Sequence, residues 1–252
     1  MKPLYLIIFT AFLSCTAPAD RIPLTVDDRL QRFFNACESD LSRARQVVVE
    51  RNLITMLSHF QTMDGGGRKY YLLEREGITA LIRSVTTGAY DDIILINREG
   101  VVVYTMTSDN LFASRISGGS TAALPMCLAN RTTAAFFSNV APIVPNSSEY
   151  CLAVSAAVEE GSTLPGTIAL IIGLDRLKGL VGGRASVLNE YGRYEIADDA
   201  SMIHTAYPDF HRIAWSDSEK NGPATPFEGV APSYRRFRYR NVRWIIVAQE
   251  AR

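Results

Sequence analysis

The sequence predicts an α+β fold in which a long N-terminal helix precedes two modules built on antiparallel sheets. Three observations carry that expectation. Apolar residues recur at helical spacing between residues 26 and 63, the pattern turns to strands at residue 91, and the turn Asn97-Arg98-Glu99-Gly100 has a counterpart in Asn189-Glu190-Tyr191-Gly192.

In the predicted helix, Leu30, Phe33, Phe34, Cys37, Leu41, Val48, Ile54, Leu57 and Phe60 fall near helical spacing. Asp27 and Asp28 suit its positive N-terminal end. Asp64-Gly65-Gly66-Gly67 breaks it, and because no Lys-Ser/Thr follows, the glycines form a corner rather than a phosphate loop. A second helix is expected over 68–85, presenting Tyr71, Leu72, Ile78, Leu81 and Ile82.

Ile93 to Ile96 and Val101 to Tyr104 flank the first turn, where Asn first and Gly last fit a type I turn followed by a left-handed glycine. Neither arm alternates apolar with polar. Both faces of this hairpin therefore need cover, and its strands belong centrally in a sheet. The long helix supplies one cover; the other falls to the Ser-, Gly-, Ala-, Asn- and Pro-rich segment 106–148, with a short helix expected near Leu128 to Phe137.

Strands resume over 150–158 and 167–173. In the first, Tyr150, Leu152, Val154, Ala156 and Val158 share one face, and the small Cys151, Ala153, Ser155 and Ala157 share the other. Small side chains admit either a closely packed helix or a ligand. Asp175 to Val181 is expected as a connecting helix ended by Gly182-Gly183, Ser186 to Ile196 as a second hairpin, and 234–239 with 242–249 as closing strands after the polar stretch 216–232. Two Asn-x-x-Gly turns alone prove no duplication, because the turn is common.

The 252 residues are 47% hydrophobic, enough for a packed core, and 26 basic residues balance 26 acidic ones, so no overall field favours nucleic acid or an anionic surface. Residues 1–15 carry one Lys, an apolar run from Leu4 to Leu13, then Ser14 and Cys15, the layout of an export signal. The run is about half of the roughly 20 residues a spanning helix needs. Leu13-Ser14-Cys15 resembles a bacterial lipobox, which implies cleavage and lipidation at Cys15 and a membrane-anchored protein in the periplasm or at the cell surface. The expected organisation is a signal peptide over 1–15, a tether over 16–25, a helical stalk over 26–90, a first module over 91–182 and a smaller second module over 183–252. Cys37, Cys127 and Cys151 cannot all pair within one chain, and a Cys127–Cys151 disulfide and buried free thiols both stay open.

No nucleophile elbow, His-Glu-x-x-His site, dinucleotide fingerprint or Walker loop is present, so no enzyme, catalytic residue or cofactor is expected. His204 and His211 with Asp209 match no standard metal spacing and are read as a surface loop. Arg236, Arg238 and Arg240 alternate with Phe237 and Tyr239 as a packed strand with a solvated face; export removes nucleic acid as a partner. Arg115 suits a ligand carboxylate, with Tyr104, Phe112, Phe136, Phe137 and Tyr150 as an aromatic lining.

The helix up to Met63, the Ile93 to Tyr104 hairpin, Gly166-Thr-Ile-Ala-Leu-Ile-Ile-Gly-Leu-Asp-Arg-Leu177 and Arg243-Trp-Ile-Ile-Val-Ala248 together resemble the double Cache family, the PAS-like extracellular sensor domains of bacterial chemoreceptors and sensor kinases. The resemblance implies two Cache-like modules, the first membrane-distal, and a sensory role in chemotaxis or signalling. Amino-acid-binding members resemble one another in an aromatic, Arg and Trp set and in an Asp on the strand at 167–172; here no Trp precedes Trp215 and that strand is apolar, so that ligand class is not implied. Such receptors also continue into a membrane helix and a signalling module, whereas this chain stops at Arg252. The expectation is a lipid-anchored Cache-like protein that binds a small molecule, presents it to a partner receptor, or both. The alternative is a structural or assembly lipoprotein with a degenerate Cache fold, acting through protein contacts.

Overall fold

Thr25 caps helix α1 (Val26–Glu50) through a reciprocal pair: its hydroxyl accepts from the Asp28 N–H at 3.2 Å while the Asp28 carboxylate accepts from the Thr25 N–H at 3.2 Å. The structure is a computed structural model that describes residues 25–63, 67–117, 121–160, 163–182, 185–208, 210 and 233–248. The proposed signal peptide, nearly all of the tether, Gly65, Gly66, Gly183 and the stretch 216–232 lie outside the described residues.

Leu30, Phe34, Cys37, Leu41, Ala44 and Val48 form the buried stripe of α1. The single helix expected over 26–63 is interrupted after Glu50, because Asn52 takes a left-handed conformation with φ 49° that asparagine tolerates. Helix α2 (Leu53–Thr62) restarts there and lies over the first hairpin, while α1 runs on to reach both sheets. Helix α3 (Gly67–Val85) returns beside them with Tyr71, Ile78 and Ile82 buried. Asp40 locks the exit of α3 to α1. Its carboxylate accepts from the Thr87 N–H at 3.0 Å, the Gly88 N–H at 2.7 Å and the Tyr90 hydroxyl at 2.8 Å, and pairs with Arg43. Burial pushes this carboxyl up, but those donors outweigh it and hold it below the usual range.

The first sheet has the order β2-β1-β6-β5-β3, from β1 (Asp92–Asn97), β2 (Val102–Thr105), β3 (Phe136–Phe137), β5 (Tyr150–Glu160) and β6 (Thr163–Gly173), with β4 (Ala141–Pro142) also paired to β5. Register sets Ile93 opposite Leu170 and Val154 opposite the same Leu170, so β1, β6 and β5 share one apolar face. Ile93, Leu95, Leu152 and Val154 pack on the helices, and Ile94, Ile96, Cys151 and Ala153 pack on the other side. That second cover is helix α4 (Ala123–Ala129) and its flanking segment, so both faces of the hairpin are closed. The short helix thus starts earlier than Leu128. Pro125 sits in its first turn, where a missing N–H goes unnoticed, and Phe136-Phe137 pairs with β5 instead.

After helix α5 (Leu174–Val181), ended by Gly182 at φ 84°, a second sheet follows in the order β8-β7-β10-β9, from β7 (Ala185–Asn189), β8 (Tyr194–Ile196), β9 (Ser233–Tyr239) and β10 (Val242–Ala248). It repeats the first in detail. Gly100 and Gly192 have φ of 78° and 74°, and each donates to its turn Asn carbonyl at 3.0 Å. Beyond each hairpin the chain returns along the outer strand: Val102 N donates to Ser114 O at 2.9 Å as Tyr194 N does to Thr205 O at 3.1 Å, and Ala113 and His204 share left-handed φ of 63° and 66°. Both hairpins also carry a bulge, at Val103 in the first and at Glu195 in the second. The α+β fold with two antiparallel modules is therefore as expected, and the two units are structural repeats.

The units meet on α1. Phe34, fully buried, has ring centroids 5.0 Å from Phe137, 5.5 Å from Phe237, 5.2 Å from Tyr239 and 5.4 Å from Trp244. Asn241 joins the sheets directly, accepting from Phe137 N at 3.1 Å and donating to Phe137 O at 2.6 Å. Phe34→Ala leaves a cavity at this meeting point and is expected to cost about 3–5 kcal/mol in chemical denaturation, with fluorescence of Trp244 reporting the same transition as far-UV circular dichroism.

Candidate functional site

Two places on the covered side of the first sheet bear on ligand binding: the layer beneath α4, and the rim where that layer meets the first hairpin turn. In the layer, Leu124 and Cys127 of α4 and Ile143 pack with Ala153, Cys151 and Ala169. The small face of β5 is used for close helix packing. Ser155 is fully buried beside Cys127, and its hydroxyl lowers that thiol against the larger effect of burial. Burial pushes the Cys127 thiol up to about 12 and the Cys151 thiol higher still, so neither is a nucleophile at neutral pH. Of the two states open for this pair, the structure has buried free thiols, and Cys37 is a third, also raised to about 12 by burial.

At the rim a cavity of about 500 Å³ opens, within the usual range for a small-molecule site. Its floor is Ala157, Gly166 and Thr167 at the ends of β5 and β6, its inner wall the turn from Asn97 to Gly100 with Ile116, its roof Leu128 and Arg131 at the end of α4, and its lip Thr163 and Leu164. Sequence chemistry shapes each part. Gly166 lies against the Ile96 backbone so closely that a Cβ there would fall 1.9 Å from the Ile96 carbonyl oxygen, and Gly100 lets the turn bend inward. The cavity combines apolar Ile116, Leu128, Ala157 and Leu164 with polar Asn97 and Thr167 and with the exposed Arg98, Glu99 and Arg131, and neither arginine makes an ion pair with a described residue. It can hold a compact ligand with one apolar side and polar or charged groups at the opening.

The residues nominated from sequence fall elsewhere. Tyr104 is fully buried on the helix side, its hydroxyl 2.9 Å from Thr79 Oγ1, because the bulge at Val103 turns it away from the α4 cover. Phe112 stacks on Tyr71 at 3.7 Å, and Phe137 belongs to the Phe34 cluster. Tyr150, half-buried, packs against the same core with its ring 6.0 Å from His204. Phe136 is half-buried on β3, and Arg115 is exposed where its backbone bridges to Val101. None of the six lines the cavity. His204 is half-buried, its protonation disfavoured by burial and then by Arg193. Asp209, His211 and Cys15 lie outside the described residues, and among the described residues no group of three His, Cys, Asp or Glu side chains stands together.

Sequence reasoning missed Arg98 and Arg131 because they lie on a turn and a loop, where exposed polar residues are unremarkable, and Leu164 because a single exposed apolar residue at a strand end is common. It also missed Glu195, fully buried on β8, although a lone carboxylate between Tyr194 and Ile196 is a readable signal.

No family model matches the sequence, and neither does any curated protein. Solved structures do match in shape. The ligand-binding domain of the Pseudomonas fluorescens chemoreceptor CtaA, in complex with L-alanine, superposes with a TM-score of 0.57 at 10% identity over 88% of this chain and 90% of that one. The sensor domain of the Vibrio cholerae histidine kinase DctB gives 0.54 at 10% identity over 89% and 95%. The ligand-binding domain of the Campylobacter jejuni chemoreceptor Tlp3, in complex with 4-methylisoleucine, gives 0.53 at 11% identity over 88% and 85%. The fold is a double Cache fold. In this chain the α4 cover fills the layer over the first sheet and leaves an opening at the rim. Among the described residues no helix is long and apolar enough to cross a membrane.

Proposed function

We propose that this chain is the ligand-binding unit of an exported sensory protein, taking a small molecule into the rim cavity of its first Cache module. The observation that carries the reading is the cavity of about 500 Å³, lined by apolar and polar side chains with arginines that make no ion pair with a described residue, on a double Cache fold. The export layout of residues 1–15 supports a periplasmic or cell-surface location, and Leu13-Ser14-Cys15 supports anchoring through lipidated Cys15. A tethered binding domain of this kind acts by presenting its liganded form to a partner receptor in the same envelope. Nothing in the chemistry of the cavity calls for a catalytic role, and no cofactor enters the proposal.

A second reading, a structural or assembly lipoprotein with a degenerate Cache fold, draws support from the direct packing of α4 on the sheet. The two separate experimentally. In a thermal-shift screen of metabolites, with native mass spectrometry of protein purified without refolding, the sensory reading expects at least one bound or stabilising small molecule. Ala157→Leu, which fills the cavity floor, then weakens that ligand at least tenfold; this is about 1.4 kcal/mol. No bound mass and no stabilisation, with one reproducible partner captured by cross-linking in intact cells, favours the second reading. Anchoring is tested by Cys15→Ser, which is expected to move the full chain from the membrane fraction to the soluble one; retention in the membrane contradicts lipidation at Cys15.

A further inference from the structure

The bulge that re-aims Tyr104 in the first module recurs in the second, and there the extra residue is not an apolar one. Val103 and Glu195 occupy the same place in the two repeats, each the unpaired residue of its outer strand. Val103 joins the core, whereas Glu195 puts a carboxyl group, with no exposed surface, between the two modules. One oxygen accepts from the Val140 N–H at 2.7 Å, on the link between β3 and β4 of the first module, where Val140 packs in the helix-side core. The other accepts from Asn189 Nδ2 at 3.1 Å. Asn189 cannot turn aside, because its Oδ1 already accepts from Tyr191 N at 2.9 Å and Arg193 N at 3.0 Å.

Among the described residues no cation pairs with this carboxyl. Its surroundings from β7 offer Asn189 and from the first module Val140. Helix α5, which packs against β8, carries three charged residues, but Asp175 is exposed, Arg176 lies over the Phe33 ring at 5.9 Å and Lys178 donates to Asp198 O at 2.8 Å. We propose that Glu195 is a pH-responsive clamp between the two Cache modules, neutral and closed in acid, and strained toward opening once ionised.

Burial pushes the Glu195 carboxyl up to about 7, more than the Val140 and Asn189 donors bring it down. The sign follows from linkage. A group whose pKa is higher in the closed form than when solvated stabilises the closed form fully below the solvated value of 4.5, and that contribution is lost as pH rises to about 7. Opening the junction releases a proton across that window. Each pH unit inside it favours opening by about tenfold, roughly 300-fold in total. Because Val140 packs in the helix-side core of the first module, the clamp ties that module to the second sheet, whether or not a ligand fills the cavity.

The test uses the full chain labelled with 13C at glutamate side chains, with Glu195→Gln to assign the signal. A Glu195 titration midpoint near 7 is expected, and a midpoint near 4.5 overturns the proposal. Hydrogen exchange at Val140, corrected for the intrinsic pH dependence of the amide, should show protection falling by at least tenfold between pH 5 and pH 8 in the native sequence and staying flat in Glu195→Gln. Equal slopes in the two proteins overturn it. If Glu195→Gln does not fold, Glu195→Asp serves for assignment, and a Val140 protection that does not fall with pH in the native chain is itself decisive against the clamp.

Discussion

Phe34 holds the two halves of this protein on one helix. Its ring contacts Phe137 from the first sheet and Phe237, Tyr239 and Trp244 from the second, so the aromatic cluster is shared between elements far apart in sequence. Aromatic pairs of this kind add to the area they bury, and a core joined through them resists sliding of one sheet past the other. Polar contacts then fix the register. Tyr239 donates to Glu38 on α1 at 2.7 Å, Asn241 brackets Phe137, and Glu195 reaches Val140. The helix is thus a spine for both modules rather than a free stalk.

That spine decides where a ligand can go. With α1, α2 and α3 closing one face of the first sheet, only the α4 side is left, and the small residues of β5 allow α4 to come down directly onto it. What stays open is the edge, where Gly100 and Gly166 let the hairpin turn approach the end of β6 and where α4 has ended at Ala129. The cavity is a consequence of close packing next to it. Its charged residues lie on the hairpin turn and the loop after α4, and its floor is formed by the ends of β5 and β6.

Much of the fold was legible because strong local signals agreed. The Asn-x-x-Gly turns, the apolar stripe of α1 and the two-faced strands each had one physical solution. Asn52 broke the helix where periodicity alone continued, since a left-handed asparagine leaves no mark on an apolar pattern. The place of Tyr104 was not legible, because a bulge moves the side chains that follow it on the strand to the opposite face, and nothing in Val102-Val103-Tyr104 announces one. The duplication was suggested by two turns and established only by the matching returns at Ala113 and His204, which share no residue type. The buried Glu195 had a sequence signal, a single charge within a short apolar strand, whose meaning needed the bulge to become clear.

Binding of a small molecule at the rim of the first module is the proposal on which the rest of this reading depends. Hydrogen exchange of the intact protein with and without its most stabilising metabolite tests it most directly. Added protection is expected at residues 98–100, 128–131 and 163–167, around the cavity. Protection confined to the second module, or no change at those three segments despite binding, would contradict the account.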